Sequence, residues 1–477
     1  MRQADLIVLG AGPAGTEAAL AASAAGLDVV LVEEAQAAGG QVWRAPYPGL
    51  ALPKPDEDAT AGAALRDRLV ASRVETHFNA RAWSVNTLPE GGFRLDAATE
   101  SGPLSLAAPR LVAATGAVER VIPFPGWTLP GVVGLAAATV MLKAQAVLPG
   151  QRVVVAGCGP LLAAVAAKIL ASGGEVVAVV DRASRAEWLA ATRHLATRPR
   201  LLARGLGWAL RIAGRRVPVL FGHAIHAAEG QDVLEAVQVA PLATDGSFAA
   251  APPRRFMADA LCVGDGLVPG AEIPRLLRAP MRFDRTLGGW VPQVDAEGRT
   301  SIPGLFAVGD GALLRGQAPA VHAGRLAGLA AAHDAGRSDA AAFAQASAAD
   351  HAALATLAPF AAAVSRLMAL RPGAVRAIAP TTVVCRCEDV TRGMIDAAFE
   401  DGAREVNQLK HFTRCGMGPC QGRSCGDVAA EILAARVGSR EAAGCWTGRP
   451  PLRPVPLADL LGEFDYADIP IPAPAPL

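Results

Sequence analysis

The sequence predicts an α/β chain with two βαβ units of the kind that cradle dinucleotides, followed by a small helical domain organised by cysteines. Glycine-punctuated strand-helix-strand patterns at residues 5–33 and 153–181 predict the first part, and five of the eight cysteines falling between 385 and 425 predict the second. The 477 residues, 52% hydrophobic, correspond to about three structural units. With 45 basic and 44 acidic residues the net charge is +1, which excludes a nucleic-acid binder working through a broad basic footprint.

In the N-terminal unit an apolar strand (residues 5–10) meets an alanine-rich helix opening at Pro13-Ala14, and a second strand (28–32) closes on Glu33. Gly10, Gly12 and Gly15 form GxGxxG: the first permits a tight turn, the second lets backbone NH groups approach a pyrophosphate, and the third lets helix and strand pack closely. Glu33 is placed to accept hydrogen bonds from an adenosine ribose.

Residues 153–181 repeat the pattern as VVVAGCGPLLAAVAAKILASGGEVVAVVD. Gly157 and Gly159 match the fingerprint, but Ala163 stands one position late, giving GxGxxxA. Asp181 favours an unphosphorylated ribose, while Arg182 and Arg185 suit a 2′-phosphate, so NAD, NADP and an empty or repurposed pocket all stay open. The stretch is apolar enough to raise a membrane span, but paired glycines, Lys168 and Glu175 divide it into strand, helix and strand.

A third block, residues 300–329, holds a strand (305–308) ending in Gly309-Asp310 and a helix beginning near Pro319. Together with Ala114-Thr115-Gly116 and Gly39-Gly40-Gln41, it resembles the glutathione-reductase-like flavoproteins, which have two Rossmann-like dinucleotide-binding domains. The resemblance implies FAD in the first unit, at Gly10, Gly12, Pro13, Ala14, Gly15, Glu33, Gly40, Gln41, Thr115, Gly116, Gly309 and Asp310. Asp310 would bond the ribityl chain, and the positive end of the following helix would lie near the isoalloxazine carbonyl. It implies NAD(P) or another nucleotide at Gly157, Gly159 and Asp181, in a second domain (118–285) inserted into a discontinuous FAD domain (1–117 and 286–345). Neither Cys158 nor Cys262 has a cysteine close by in sequence, so dithiol-disulfide chemistry is disfavoured and both read as core residues.

From Thr382 the order is C-x-C, 27 residues, C-x4-C and a further x4-C. Clustered thiols in a chain that opens on a strand rather than a signal peptide point to a reducing cytoplasm and a soft metal, zinc or iron-sulfur. The single-residue C-x-C spacing counts against zinc. The segments CRCEDVT and GMGPCQGRSC resemble the bacterioferritin-associated ferredoxin domain (379–436), which implies a [2Fe-2S] cluster on Cys385, Cys387, Cys420 and Cys425, with Cys415 as the alternative ligand.

Weaker candidates surround these. His322 starts the helix expected to face the flavin, where it would tune or protonate it, although a surface histidine is the commoner outcome. Nine arginines between 182 and 216 suit a phosphate or partner surface, or simply a solvated helical face. No hydrolase triad or HExxH helix is present. Residues 346–378 read as a helical connector and 437–477 as a proline-rich tail, draped over its own protomer or reaching a partner.

Taken with GGQVWR, PFPGWTLPGV, GCGPLL and TSIPGLFAVGDG, the arrangement is similar to the larger FAD and [2Fe-2S] subunit of heteromeric bacterial amine dehydrogenases, the opine oxidase, hydroxyproline or proline dehydrogenase and hydrogen cyanide synthase class. The resemblance implies electron transfer between FAD and cluster, an amino-acid-oxidase-like partner that oxidises the C–N bond, a small ferredoxin-like subunit, and a cytoplasmic location with peripheral contact to the inner membrane through partners. A self-contained NAD(P)H-dependent reductase and a scaffold with vestigial pockets are the rival readings.

Overall fold

The computed structural model describes residues 1–50 and 56–461. In chain order the first unit supplies β1 (Leu6–Leu9), α1 (Pro13–Ala24), β2 (Val29–Val32), α2 (Glu57–Val70), β3 (Glu75–His77) and β4 (Leu111–Ala113). The second supplies β5 (Val132–Gly134), β6 (Arg152–Gly157), α3 (Leu161–Ala171), β7 (Glu175–Asp181), α4 (Arg185–Leu195), α5 (Pro199–Gly214), β8 (Val219–Phe221) and β9 (Ala260–Gly264). The chain then returns through β10 (Leu305–Ala307) and α6 (Gln317–Asp334), crosses on α7 (Ala340–Leu367), and ends in α8 (Arg392–Glu400), α9 (Val406–Thr413) and α10 (Gly426–Val437).

The strands form two parallel sheets, ordered β10-β4-β1-β2-β3 and β5-β9-β6-β7-β8. β1 and β2 are apolar at every position and fully buried, as strands covered on both faces must be; each such Leu, Ile or Val contributes about 1.5–3 kcal/mol by burial. α1 and α6 pack through alanines against the first sheet, so closely that a Cβ at Gly324 would stand 2.0 Å from the Ala14 carbonyl. A mixed sheet around residues 81–108 and an antiparallel one around 223–257 flank the two units.

The strand-helix-strand order expected at both fingerprints is thus present, and β10 rejoins the first sheet beside β4 after the second unit has been inserted. The stretch Ala340–Val375 is long and apolar enough to cross a membrane. Here α7 packs on α6 and α4, with Asp350 buried in ion pairs to His322 (2.7 Å) and Arg325 (3.1 Å). His322 therefore serves the α6–α7 contact. The tail follows its own protomer: Leu452 is buried and its NH bonds the Trp83 carbonyl at 2.7 Å, and Arg453 pairs with Glu272. Its last part, 462–477, lies outside the described residues.

Candidate functional site

In the first unit the carboxyl ends of β1, β2, β4 and β10 converge on the N-terminus of α1. That helix starts at Pro13 with Gly12 as its cap, and it has neither a capping side chain nor an acid in its first turn, so its free NH groups are available to an anion. Gly15 sits where a Cβ would overlap the Gly10 carbonyl at 1.8 Å, whereas a Cβ on Gly12 would meet only Gly40 Cα at 4.0 Å. Close packing below and a turn bare of side chains above is the arrangement a pyrophosphate cradle requires.

Glu33 accepts hydrogen bonds from Ala11 NH (2.6 Å) and Ala35 NH (2.8 Å), and burial pushes its carboxyl pKa up against those bonds. Gly39 NH bonds the Ala11 carbonyl at 2.8 Å and lays Gly40 over Gly12, while Gln41 stays exposed. Thr115 Oγ1 donates to the Gly270 carbonyl and the Gly116 carbonyl accepts from Gly270 NH at 2.8 Å, joining the two units at this turn.

Asp310 accepts from Arg315 NH (2.9 Å) and Gly316 NH (2.8 Å), while burial raises its pKa. It thereby fixes the loop that opens α6, a second helix without a side-chain cap. A cleft of ≈ 510 Å³ opens beside Gly309, Asp310, Arg315 and Pro319. Sequence reasoning missed Arg66 and Lys143, which bond the carbonyls of Ala38, Trp43 and Val42 and hold the GGQVW loop; long-range cations of this kind leave no local pattern. On the same loop Trp43 Nε1 and Arg44 Nε are buried with no partner among the described residues. Orphaned donors beside two bare helix ends and the Glu33 carboxyl just past β2 fit a bound dinucleotide.

The second unit is shaped differently. Gly157 and Gly159 occupy the expected turn at the end of β6, but α3 starts later, at Leu161, with Pro160 as its cap. The Met368 side chain, just past α7, covers the turn: a Cβ at Gly159 would stand 2.8 Å from Met368 Cγ, and Cys158 Sγ lies 3.9 Å from the Met368 carbonyl. Asp181 accepts from Ala183 NH (2.8 Å) and from the Trp188 indole (2.8 Å). It is only 4% exposed, and burial pushes its pKa up to about 7. Arg182 pairs with Asp265 (3.3 Å), and Arg185 lies over the Phe221 ring. The cavity at the ends of β6 and β9, partly walled by Ala374, Ala377 and Ile378, is ≈ 30 Å³, room for a water rather than a nucleotide.

In the last domain Cys385 ends the strand Val383–Cys385, and Thr391 caps α8 through its hydroxyl. α9 terminates at Arg414 in the left-handed region (φ 62°), delivering Cys415 to a loop that runs to Cys425 at the cap of α10. The sulfurs of Cys385, Cys415 and Cys425 lie within 4.8 Å of one another, all buried, with Cys415 and Cys425 at 3.9 Å. Hydrogen bonds from the Cys415 and Cys425 thiols hold Cys385 far below the usual thiol range. Cys387, exposed, bonds the side chain of Cys420. All five cysteines thus gather at one end of the domain, with Cys415 inside the buried trio and Cys420 beside Cys387. A convergent set of thiols, with backbone NH groups of Gly416 and Glu388 directed at Cys385, fits a thiolate-ligated cluster.

Three further residues position this end. Trp446, from the tail, lays its ring on Gly416 and Gly426 and donates to the Gly426 carbonyl at 2.9 Å. Trp127, from PFPGWTLPGV, donates to the Val383 carbonyl at 2.7 Å. Arg120 pairs with Asp427 (2.6 Å), which Arg440 also contacts (2.8 Å); Glu431 joins Arg440 (3.0 Å) to Arg285 (2.9 Å). Burial opposes ionisation of Asp427, but the two guanidiniums outweigh it and hold the carboxyl down at about 2.

Residues 4–336 match the family described as Pyridine nucleotide-disulphide oxidoreductase, and residues 383–435 match the BFD-like [2Fe-2S] binding domain. The chain belongs to the pyridine nucleotide-disulphide oxidoreductase family. Within that family it is 33% identical to an opine oxidase subunit of Rhizobium meliloti (strain 1021), over 96% of this chain and 98% of that one. It is 31% identical to hydrogen cyanide synthase subunit HcnB of Pseudomonas protegens, over 95% and 96%. Its fold matches L-proline dehydrogenase from P. horikoshii with a TM-score of 0.72 at 20% identity, covering 96% of this chain and 80% of that one. This family member is an FAD-dependent oxidoreductase with a BFD-like [2Fe-2S] domain, and the comparisons support a component of a heteromeric oxidoreductase.

Proposed function

We propose that the chain is the electron-transferring subunit of a cytoplasmic dehydrogenase whose substrate is an amino or imino acid of the opine, hydroxyproline, proline or glycine class. An amino-acid-oxidase-like partner oxidises the C–N bond, and a small ferredoxin-like subunit completes the complex. When bound, FAD exchanges electrons in pairs or singly, and the [2Fe-2S] cluster relays them singly.

The bare ends of α1 and α6 and the Glu33 carboxylate hold the flavin nucleotide, with Asp310 fixing the loop ahead of α6. Cys385, Cys387, Cys420 and Cys425 are the cluster ligands. Cys387 and Cys420 contact each other, and Cys385 and Cys425 lie in the buried trio that also holds Cys415. Cys415 is the alternative ligand. Replacing Cys420 with serine abolishes the visible iron-sulfur absorbance and Cys415→Ser spares it; the reverse pattern would exchange the two.

The observation that carries the partner-dependent reading is the covered second unit: Met368 lies over Gly159, Trp188 covers Asp181, and the remaining cavity is ≈ 30 Å³. The covering of this turn by Met368 and of Asp181 by Trp188 leaves little room for a nicotinamide dinucleotide and supports electron entry from a partner protein. Anaerobic stopped-flow mixing of the purified chain with NADH or NADPH tests this. No flavin bleaching is expected on the timescale of turnover, and rapid bleaching establishes the self-contained reductase instead.

A further inference from the structure

α5 is exposed along nearly its whole length. Of its sixteen residues only Ile212 is buried, on the side that packs against α3. Leu202, Leu206 and Leu210, spaced i, i+4, i+8, fall on one line along the helix and are 38%, 58% and 65% exposed. Ala209 and Ala213 widen the stripe and are exposed as well.

The helix and its flanking segments carry charge of one sign, and the acids that face them are Glu57 and Asp58 of α2, both against Arg204 (3.8 and 3.3 Å). Between Glu187 and Glu229 the chain contains no acidic residue and seven arginines: 193, 198, 200, 204, 211, 215 and 216. Arg204 pairs with Asp58, whereas Arg200, Arg211, Arg215 and Arg216 have no carboxylate in ion-pair range among the described residues.

We propose that α5 is a membrane-docking helix that lies in the surface of an anionic phospholipid bilayer, Leu202, Leu206 and Leu210 entering the acyl boundary while Arg200, Arg211 and Arg215 contact lipid phosphates. A helix this long spans about 24 Å, and a stripe one helix wide falls short of the ~800 Å² that a stable protein interface takes from each partner. A bilayer needs no such area or shape match; it rewards an apolar stripe bordered by cations, whose stems extend along the helix while the guanidiniums stay at the headgroups. The contact is made by this chain's own helix and is independent of the substrate proposed above.

The test is flotation of the purified, flavin-containing chain with vesicles of phosphatidylcholine alone or mixed with phosphatidylglycerol. Binding is expected only to the mixed vesicles, weakening as salt is raised. Leu206→Glu with Leu210→Glu lowers the partition coefficient at least about tenfold, and Arg200→Gln with Arg211→Gln lowers it several-fold, both with an unchanged flavin spectrum and melting temperature. Because these side chains are exposed, the substitutions leave the fold intact; the milder Leu206→Gln serves where a charge perturbs it. Absence of flotation, equal binding to both vesicle types, or a leucine variant that binds normally but loses a discrete protein complex each overturns the proposal, the last in favour of a protein partner on this face.

Discussion

A Cβ at Gly12, at the bare end of α1 in the first βαβ unit, would meet only the backbone of Gly40 at 4.0 Å, whereas one at Gly159 in the second would stand 2.8 Å from the Met368 side chain. Glu33 is half-buried and bonded only by backbone NH groups; Asp181 lies beneath the Trp188 indole, which packs with Phe360 and Val364 of α7. The two sites differ in what the rest of the chain has placed on top of them. Insertion of α7 and residues 368–378 over the second unit turns a nucleotide-shaped surface into a seat for the segment leading to the cysteine domain. A βαβ fold therefore provides the geometry for a dinucleotide, and its neighbours decide whether that geometry stays open.

The largest effect that would break this contrast is in the first unit. Gly15→Val drives side-chain atoms into the Gly10 carbonyl, and the flavin content of the purified protein, read by absorbance, is expected to fall at least about tenfold. Next comes the seat itself. Arg120→Ala leaves Asp427 buried with one cation lost and is expected to cost about 3–5 kcal/mol in denaturant unfolding. If it costs nothing, the ion-pair network does not secure the cluster domain.

The third effect is a pH dependence located in the second unit. Burial raises Asp181 to about 7 and Glu119, which accepts from Ala136 NH, to about 8. Both retain protons in the folded state that the unfolded chain has already released above its ordinary carboxyl pKa. The contribution of these two groups to stability is therefore fullest below about pH 4 and is lost as pH rises through about 8. The melting temperature should fall over this range, and Asp181→Asn with Glu119→Gln should flatten the slope; an unchanged slope would place the titration elsewhere. The smallest effect is Ala163→Gly, which restores a helix glycine near the third fingerprint position. It should cost about 1 kcal/mol and bring no NADH binding by calorimetry, since Met368 still covers Gly159.

Much of this was legible in the residues. The apolar runs of β1, β2, β6 and β7 are continuous because parallel strands are buried on both faces, and Pro13, Thr391 and the fingerprint glycines mark helix starts by local chemistry. The role of Trp446 was hidden, because a tryptophan in a proline-rich tail carries no sign of the glycines it will cover. His322 read as a flavin neighbour because its helix start was visible, but its Asp350 partner, 28 residues on, was not. The Arg120–Asp427 pair joins residues 307 positions apart and leaves no periodic trace.

The sequence by itself determined the two dinucleotide folds and the thiol-rich end domain, since these rest on short-range spacing: glycines at turns, apolar strands, cysteines two or five positions apart within each group. Only the tertiary structure decided that Met368 packs over the second glycine turn while the end of α1 stays bare, and which cysteine sulfurs meet. Occupancy of a surface depends on which distant segment packs there, and that is settled by long-range burial and ion pairing.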